Sequence, residues 1–194
     1  MSIEVEQLCF AYGERPVLSE LCFTVERGSL VAVLGPNGVG KTTLFRCILG
    51  TLHGWTGDIR VDGADARTLG ARKLADRIAY IPQLHQTTFA YTVLDMVLMG
   101  TAHRLSPLAV PGRRERDEAM NALERLGIAG LAERSFTRIS GGEQQLTLIA
   151  RALAQQADSL LMDEPTASLD YGNKQRVLKT VRGLADEGYA VLLS

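Results

Sequence analysis

Apolar and polar positions alternate at the start of the chain, where Ile3-Glu4-Val5-Glu6 has the period-two pattern of a strand with one buried face. Leu21-Cys22-Phe23-Thr24-Val25, β-branched and aromatic, and Gly57-Asp58-Ile59-Arg60-Val61-Asp62-Gly63, bounded by turn residues, read as further strands. Together they predict an early antiparallel β region. A different pattern begins at Leu30-Val31-Ala32-Val33-Leu34, which is apolar throughout and runs into a glycine-rich loop. Such a run predicts a strand of a parallel sheet, buried on both faces. Ile78-Ala79-Tyr80-Ile81, Ser159-Leu160-Leu161-Met162 and Ala190-Val191-Leu192-Leu193 are of the same type. The period lengthens in the middle third. Ala119, Leu123 and Leu126 follow helical spacing with Gly127 as a stop, and Leu146, Ile149, Ala150 and Leu153 form a second stripe behind Ser140-Gly141-Gly142. Ser106-Pro107 and Pro111-Gly112 mark loops between them. The expected fold class is α/β, with a mostly parallel sheet, an N-terminal antiparallel β subdomain and a helical insertion at roughly 86–140.

Composition narrows the class without fixing it. The 194 residues are 46% hydrophobic and 22% charged, which suits one globular domain with a sizeable core. Twenty-one Lys and Arg against 22 Asp and Glu leave a net charge of -1, so no basic field points to nucleic acid. Cys9, Cys22 and Cys47 have neither disulfide nor zinc spacing; they read as small buried apolar residues in a reducing compartment. The N-terminus lacks the pattern of a signal peptide, and no apolar run is long enough to span a membrane.

Gly35-Pro36-Asn37-Gly38-Val39-Gly40-Lys41-Thr42 matches the phosphate-binding loop G-x-x-x-x-G-K-[ST], set between a strand and a helical Thr43-Leu44-Phe45-Arg46. Its glycines let backbone amides curl around phosphate oxygens, and the helix N-terminus adds its dipole. Lys41 would reach the β and γ phosphates, and the Thr42 hydroxyl would ligate Mg²⁺. Downstream, an apolar strand ends in Asp163-Glu164. Alone, that pair reads as a solvated strand end. Beside a phosphate loop, Asp163 can hold Mg²⁺ opposite Thr42, and Glu164 can serve as general base toward the attacking water. Arg138-Ile139-Ser140-Gly141-Gly142-Glu143 is a plain capping segment in isolation, or a second amide-rich anion site in this company.

The phosphate loop, Ser140-Gly141-Gly142 and Asp163-Glu164, in this order, resemble the ATP-binding cassette of ABC transporters. Three smaller elements match as well. Tyr12 in Phe10-Ala11-Tyr12-Gly13 resembles the aromatic that stacks on adenine. Gln83 in Ile81-Pro82-Gln83 resembles the glutamine that touches Mg²⁺ and senses the membrane subunits. Asp170 in Ser168-Leu169-Asp170 resembles the loop that crosses to a partner cassette. By themselves, these three read as a turn aromatic, a solvated loop residue and a helix cap. The resemblance implies a single nucleotide-binding domain over 1–194 with a P-loop NTPase core, ATP and Mg²⁺ as cofactors, and transport-coupled ATP hydrolysis. The nucleotide-binding set would be Tyr12, Gly35 to Thr43, Ser140 to Gly142 and Asp170, with Thr42, Gln83 and Asp163 toward the metal and Glu164 and Gln83 toward catalysis. It further implies a head-to-tail homodimer, each ATP lying between the phosphate loop of one chain and the Ser140-Gly142 segment of the other. Partners would be transmembrane permease subunits and, indirectly, a solute-binding protein. The location would be the cytoplasmic face of the membrane.

The segment Thr88 to Gly100 and the run Met162 to Asn173 resemble importers of iron-siderophore, haem or cobalamin, with molybdate, tungstate or another small nutrient as the alternative cargo. Glu143 stands where the family usually has glutamine. The chain ends at Ser194, before the family's Thr-His-Asp switch, and His53, His85 and His103, expected as exposed loop residues, all lie upstream of Asp163. A fragment is therefore expected over a natural truncation, and a nucleotide-binding module without turnover is the alternative activity.

Overall fold

Two four-stranded sheets and six α-helices make up the computed structural model, which describes residues 2–83, 91–106 and 109–194. The first sheet is antiparallel. Its strands are β1 (Ser2–Tyr12), β2 (Arg15–Glu26), β4 (Thr56–Val61) and β5 (Ala64–Asp65), in the order β2-β1-β4-β5. Ile3 and Val5 are buried and the intervening glutamates are not, as the alternation requires.

The second sheet is parallel throughout. Strands β3 (Leu30–Ala32), β6 (Ile78–Ile81), β7 (Ser159–Met162) and β8 (Ala190–Leu193) lie in the order β3-β8-β7-β6. Strands β6, β7 and β8 carry apolar residues on both faces because each face packs a different core. Ala79, Ile81, Leu160, Met162 and Val191 face the helices α3 (Val93–Leu98), α4 (Arg113–Arg125), α5 (Gly141–Ala154) and α6 (Tyr171–Asp186). Ile78, Leu161, Ala190 and Leu192 face the antiparallel sheet, α1 (Lys41–Ile48) and Leu74 of α2 (Ala71–Ala75). Phe45 of α1 is fully buried in that second core, where truncation to Ala would cost about 3–5 kcal/mol.

One strand departs from expectation. Leu30 to Leu34 was expected to be buried on both faces, yet the strand is only three residues long and Leu34 is 87% exposed. The reason is where the strand stops: β3 pairs only with β8 and ends at Ala32, so Leu34 lies past the paired strand, in the chain that leads into Gly35. The cysteines depart too. Cys47 is buried, but Cys9 is half-buried and Cys22 exposed. Their sulfurs accept backbone N–H groups from Glu20 and Gln7, which sit at irregularities of the β1–β2 pairing with φ of 50° and 48°.

The expected helical insertion contains, among its described residues, α3, α4 and several 3₁₀ turns. Gly127 has φ 68° and closes α4, with the Ile128 amide donating to Leu123 O. Gly100 packs against α5 so closely that a Cβ would stand 2.1 Å from Arg151 O. His53 is exposed as expected, whereas His103 is not a free loop residue. It lies in a 3₁₀ turn, with Nδ1 3.1 Å from Gly100 O and Nε2 3.4 Å from Asp76 Oδ1. His85 and Thr88 to Ala90 lie outside the described residues. No helix among the described residues is long and apolar enough to cross a membrane.

Candidate nucleotide site

The phosphate loop leaves β3 and turns into α1 at Gly40, whose φ of 112° excludes most side chains and whose absent Cβ would meet Val17 at 2.8 Å. Inside the turn, the Lys41 ammonium donates to Gly35 O at 2.9 Å and Pro36 O at 3.4 Å, and lies 3.3 Å from Glu164 Oε1. Its side chain is 9% exposed. Lys41 is thus a nearly enclosed cation at the positive end of an eight-residue helix, a setting that favours anions.

Thr42, next on α1, donates to Asp163 Oδ2 at 2.7 Å. Asp163 follows β7, is 5% exposed, and collects two further hydroxyls: Tyr80 Oη at 3.3 Å on Oδ2 and Ser194 Oγ at 2.9 Å on Oδ1. Burial, together with the Asp163 charge and hydrogen bond, pushes the Tyr80 phenol up to about 12, so it remains a neutral donor across the physiological range. Glu164 comes next, at φ 47° in the left-handed region, a conformation costing about 1–3 kcal/mol for a non-glycine residue. Its amide donates to Ser194 Oγ at 2.9 Å, and its carboxylate takes the Gln83 amide at 3.2 Å as well as Lys41. The strained backbone turns the carboxylate toward the loop.

Lys41, Thr42, Gln83 and Glu164 border a cleft of about 580 Å³ whose wall also includes Tyr12, Arg15, Val17, Asn37, Gly38, Gly40 and Thr43, with Asp163 behind Thr42 and outside that wall. Tyr12 stands at its edge, 48% exposed, with its ring set edge-on to Phe10 at 4.9 Å. Thr42 brings a hydroxyl and Asp163 a carboxylate into direct contact, and Gln83 adds an amide to the cleft that Thr42 lines. No cluster of three or more His, Cys, Asp or Glu that could hold a metal occurs among the described residues. Such a donor set suits a small hard cation that keeps phosphate and water as its other ligands.

Ser140, Gly141 and Gly142 do not line this cleft. Ser140 caps α5 reciprocally with Glu143, whose carboxylate accepts from the Ser140 amide at 2.8 Å and hydroxyl at 2.7 Å. Those bonds hold the Glu143 carboxyl below the usual range. Gly142 lies against Asn173, where a Cβ would stand 2.2 Å from Oδ1. Asn173 in turn is bound by Asp170, the cap of α6, through its amide at 3.0 Å and Nδ2 at 2.6 Å. The Ser140 and Asp170 turns are therefore joined to each other, and both serve as caps.

The sequence reading missed four contributors: Arg15 and Val17 in the cleft wall, and Tyr80 and Ser194 on Asp163. Ser194 had a signal. Met162 pairs with Leu193 in register, so the residues that follow, Asp163 and Ser194, emerge side by side.

The ABC transporter family model matches residues 18–167. An ABC transporter ATP-binding protein of Haemophilus influenzae is 41% identical over 194 residues, spanning 100% of this chain and 74% of that protein. A Helicobacter pylori protein named "Probable iron chelatin transport ATP-binding protein" is 41% identical over 175 residues, 90% of this chain and 69% of that one. Among solved structures, an inward-facing ABC transporter described as of metal-chelate type superposes with a TM-score of 0.86 at 37% identity, covering 100% of this chain and 73% of that one.

Proposed function

The chain belongs to the ABC transporter family, and from that premise we propose that it is the ATP-hydrolysing subunit of an importer of metal chelates. The observation that carries the proposal is the meeting of Lys41, from the start of α1, with Gln83 and Glu164, from two separate loops, through contacts of 3.2 and 3.3 Å at one cleft. In this reading ATP fills the cleft. Tyr12 stacks on the adenine, the amides from Gly35 to Thr43 wrap the phosphates, and Lys41 exchanges its loop carbonyls for β and γ oxygens. Thr42, Asp163 and Gln83 would hold Mg²⁺, whose charge there offsets that of the β and γ phosphates. Glu164 accepts the proton of the attacking water.

One helix N-terminus and one lysine leave a triphosphate partly uncompensated. A second copy of the chain completes the cage with its Ser140-Gly141-Gly142 turn, while Asp170 lies on the same face beside Gly142. ATP then favours the closed pair and hydrolysis removes that preference, which is how a ligand shifts a conformational equilibrium. A permease would dock at the groove of about 840 Å³ whose wall includes Tyr91, Leu98, Met99, Leu105 and Val110. That partner places the chain at the cytoplasmic face of a membrane, with a solute-binding protein acting through the permease. The cargo rests on likeness to the Helicobacter and metal-chelate relatives.

Steady-state hydrolysis of MgATP tests the proposal, with Glu164→Gln as control. Turnover that disappears in the control is expected, with a loss of at least about a hundredfold. Turnover at the parental rate in Glu164→Gln would overturn the assignment of the base.

A further inference from the structure

A smaller cavity of about 130 Å³ shares Gln83 and Glu164 with the nucleotide cleft, and its remaining wall includes Gly141, Gln144, Gln145 and Leu169. Three glutamines line it, and two have committed their amide nitrogens. Gln83 Nε2 donates to Glu164 Oε2 at 3.2 Å, and Gln144 Nε2 donates to Phe136 O at 2.9 Å and Ile139 O at 3.5 Å. Gln145 differs. It is 2% exposed, and its Nε2 meets no hydrogen-bond partner among the described residues.

A buried amide donor left unmet carries its full desolvation penalty, which an apolar residue of similar shape would avoid. Leu146, Leu148 and Ile149 on the same helix are apolar and buried, and the buried Thr147 hydroxyl between them is met by Glu143 O at 2.8 Å, so burial alone does not call for an unmet glutamine here. What is polar nearby is the cavity. Its volume exceeds several times the roughly 30 Å³ that one water occupies in the liquid, and its wall includes the Glu164 carboxylate, a strong acceptor. Water there can accept from Gln145 Nε2 and donate to Glu164.

We infer that Gln145 is a positioning residue for ATP hydrolysis, acting on Glu164 through water held in this cavity. The link rests on the reading of Glu164 as the base. It ties that carboxylate to α5, the helix whose first turn carries Ser140 to Gly142. The amide of Gln83 orients Glu164 directly, and Gln145 orients it from the side of α5.

Gln145→Leu removes the unmet donor at nearly constant volume. The expected result is a kcat for MgATP lowered about tenfold with KM within about twofold, and a melting temperature equal to the parent's or higher. In the Glu164→Gln background, Gln145→Leu should slow turnover no further. A lowered melting temperature with unchanged kcat would mean a purely structural role and overturn the inference. Turnover lost in Glu164→Gln but retained in Gln145→Leu removes this inference alone; turnover untouched by Glu164→Gln removes the base and the inference together. A crystal structure decides the matter independently of turnover. An ordered water within about 3.2 Å of both Gln145 Nε2 and a Glu164 carboxylate oxygen is expected, and a dry cavity would contradict it.

Discussion

Thr42 and Asp163 stand 121 residues apart in sequence, and the Thr42 hydroxyl donates to Asp163 Oδ2 across 2.7 Å. That bond joins the first turn of α1 to the end of β7 and brings together two of the groups proposed to hold Mg²⁺. Asp163→Asn keeps the shape and removes the charge. It should leave metal-free ATP binding within about twofold while losing about tenfold of the affinity gained on adding Mg²⁺. Titration calorimetry with and without Mg²⁺ checks this, and an undiminished gain would place the cation elsewhere.

Ser194 Oγ holds two parts of the site at once, donating to Asp163 Oδ1 and accepting the Glu164 amide, each at 2.9 Å. Ser194→Ala leaves the amide of a left-handed residue unmet and should destabilise the fold by about 1–2 kcal/mol. Ser194→Thr should retain both bonds and most of the stability. Urea denaturation of the three chains would settle the point, and equal stability of the Ala variant would show that the bridge contributes nothing.

The cap at Ser140 makes a pH prediction. Hydrogen bonds from the Ser140 hydroxyl and then its amide lower the Glu143 carboxyl in the folded state, so the ionised form stabilises the fold. Its contribution is complete above the ordinary glutamate value of about 4.3 and disappears as pH falls through the lower folded value. Relative to Glu143→Gln, the parent should be more stable by about 0.5–1 kcal/mol at neutral pH, a margin that shrinks toward zero in acid. An unchanged margin at pH 3 would contradict the cap.

The parts of this molecule that the sequence made legible are those governed by local pattern. The phosphate loop announced itself by spacing, and the strands β6, β7 and β8 by unbroken apolar runs that two cores now explain. Pattern could not show where β3 stops, and for that reason Leu34 was expected inside a strand that ends two residues before it. Nor could it show pairings of remote residues: Tyr80 reads as one more strand aromatic until its hydroxyl is seen on Asp163, 83 residues away. The φ of Glu164 was equally hidden, because nothing in Met-Asp-Glu-Pro forces a left-handed turn. Ser140 and Asp170 were legible both as caps and as contacts to a second cassette. The single chain displays only the caps.

Complementation between two defective chains tests the shared site most directly. Lys41→Ala spoils the phosphate loop and should abolish ATP binding, raising Kd at least about a hundredfold. Ser140→Arg should bind ATP normally but block closure, because it places bulk where the partner's γ-phosphate would sit. With Glu164→Gln added to both so that bound ATP persists, neither chain alone should dimerise on MgATP in sedimentation velocity. Their mixture should form a heterodimer, because the intact loop of one chain then faces the intact Ser140 turn of the other. A mixture that stays monomeric at the protein concentration where Glu164→Gln alone dimerises would contradict a site shared between two copies.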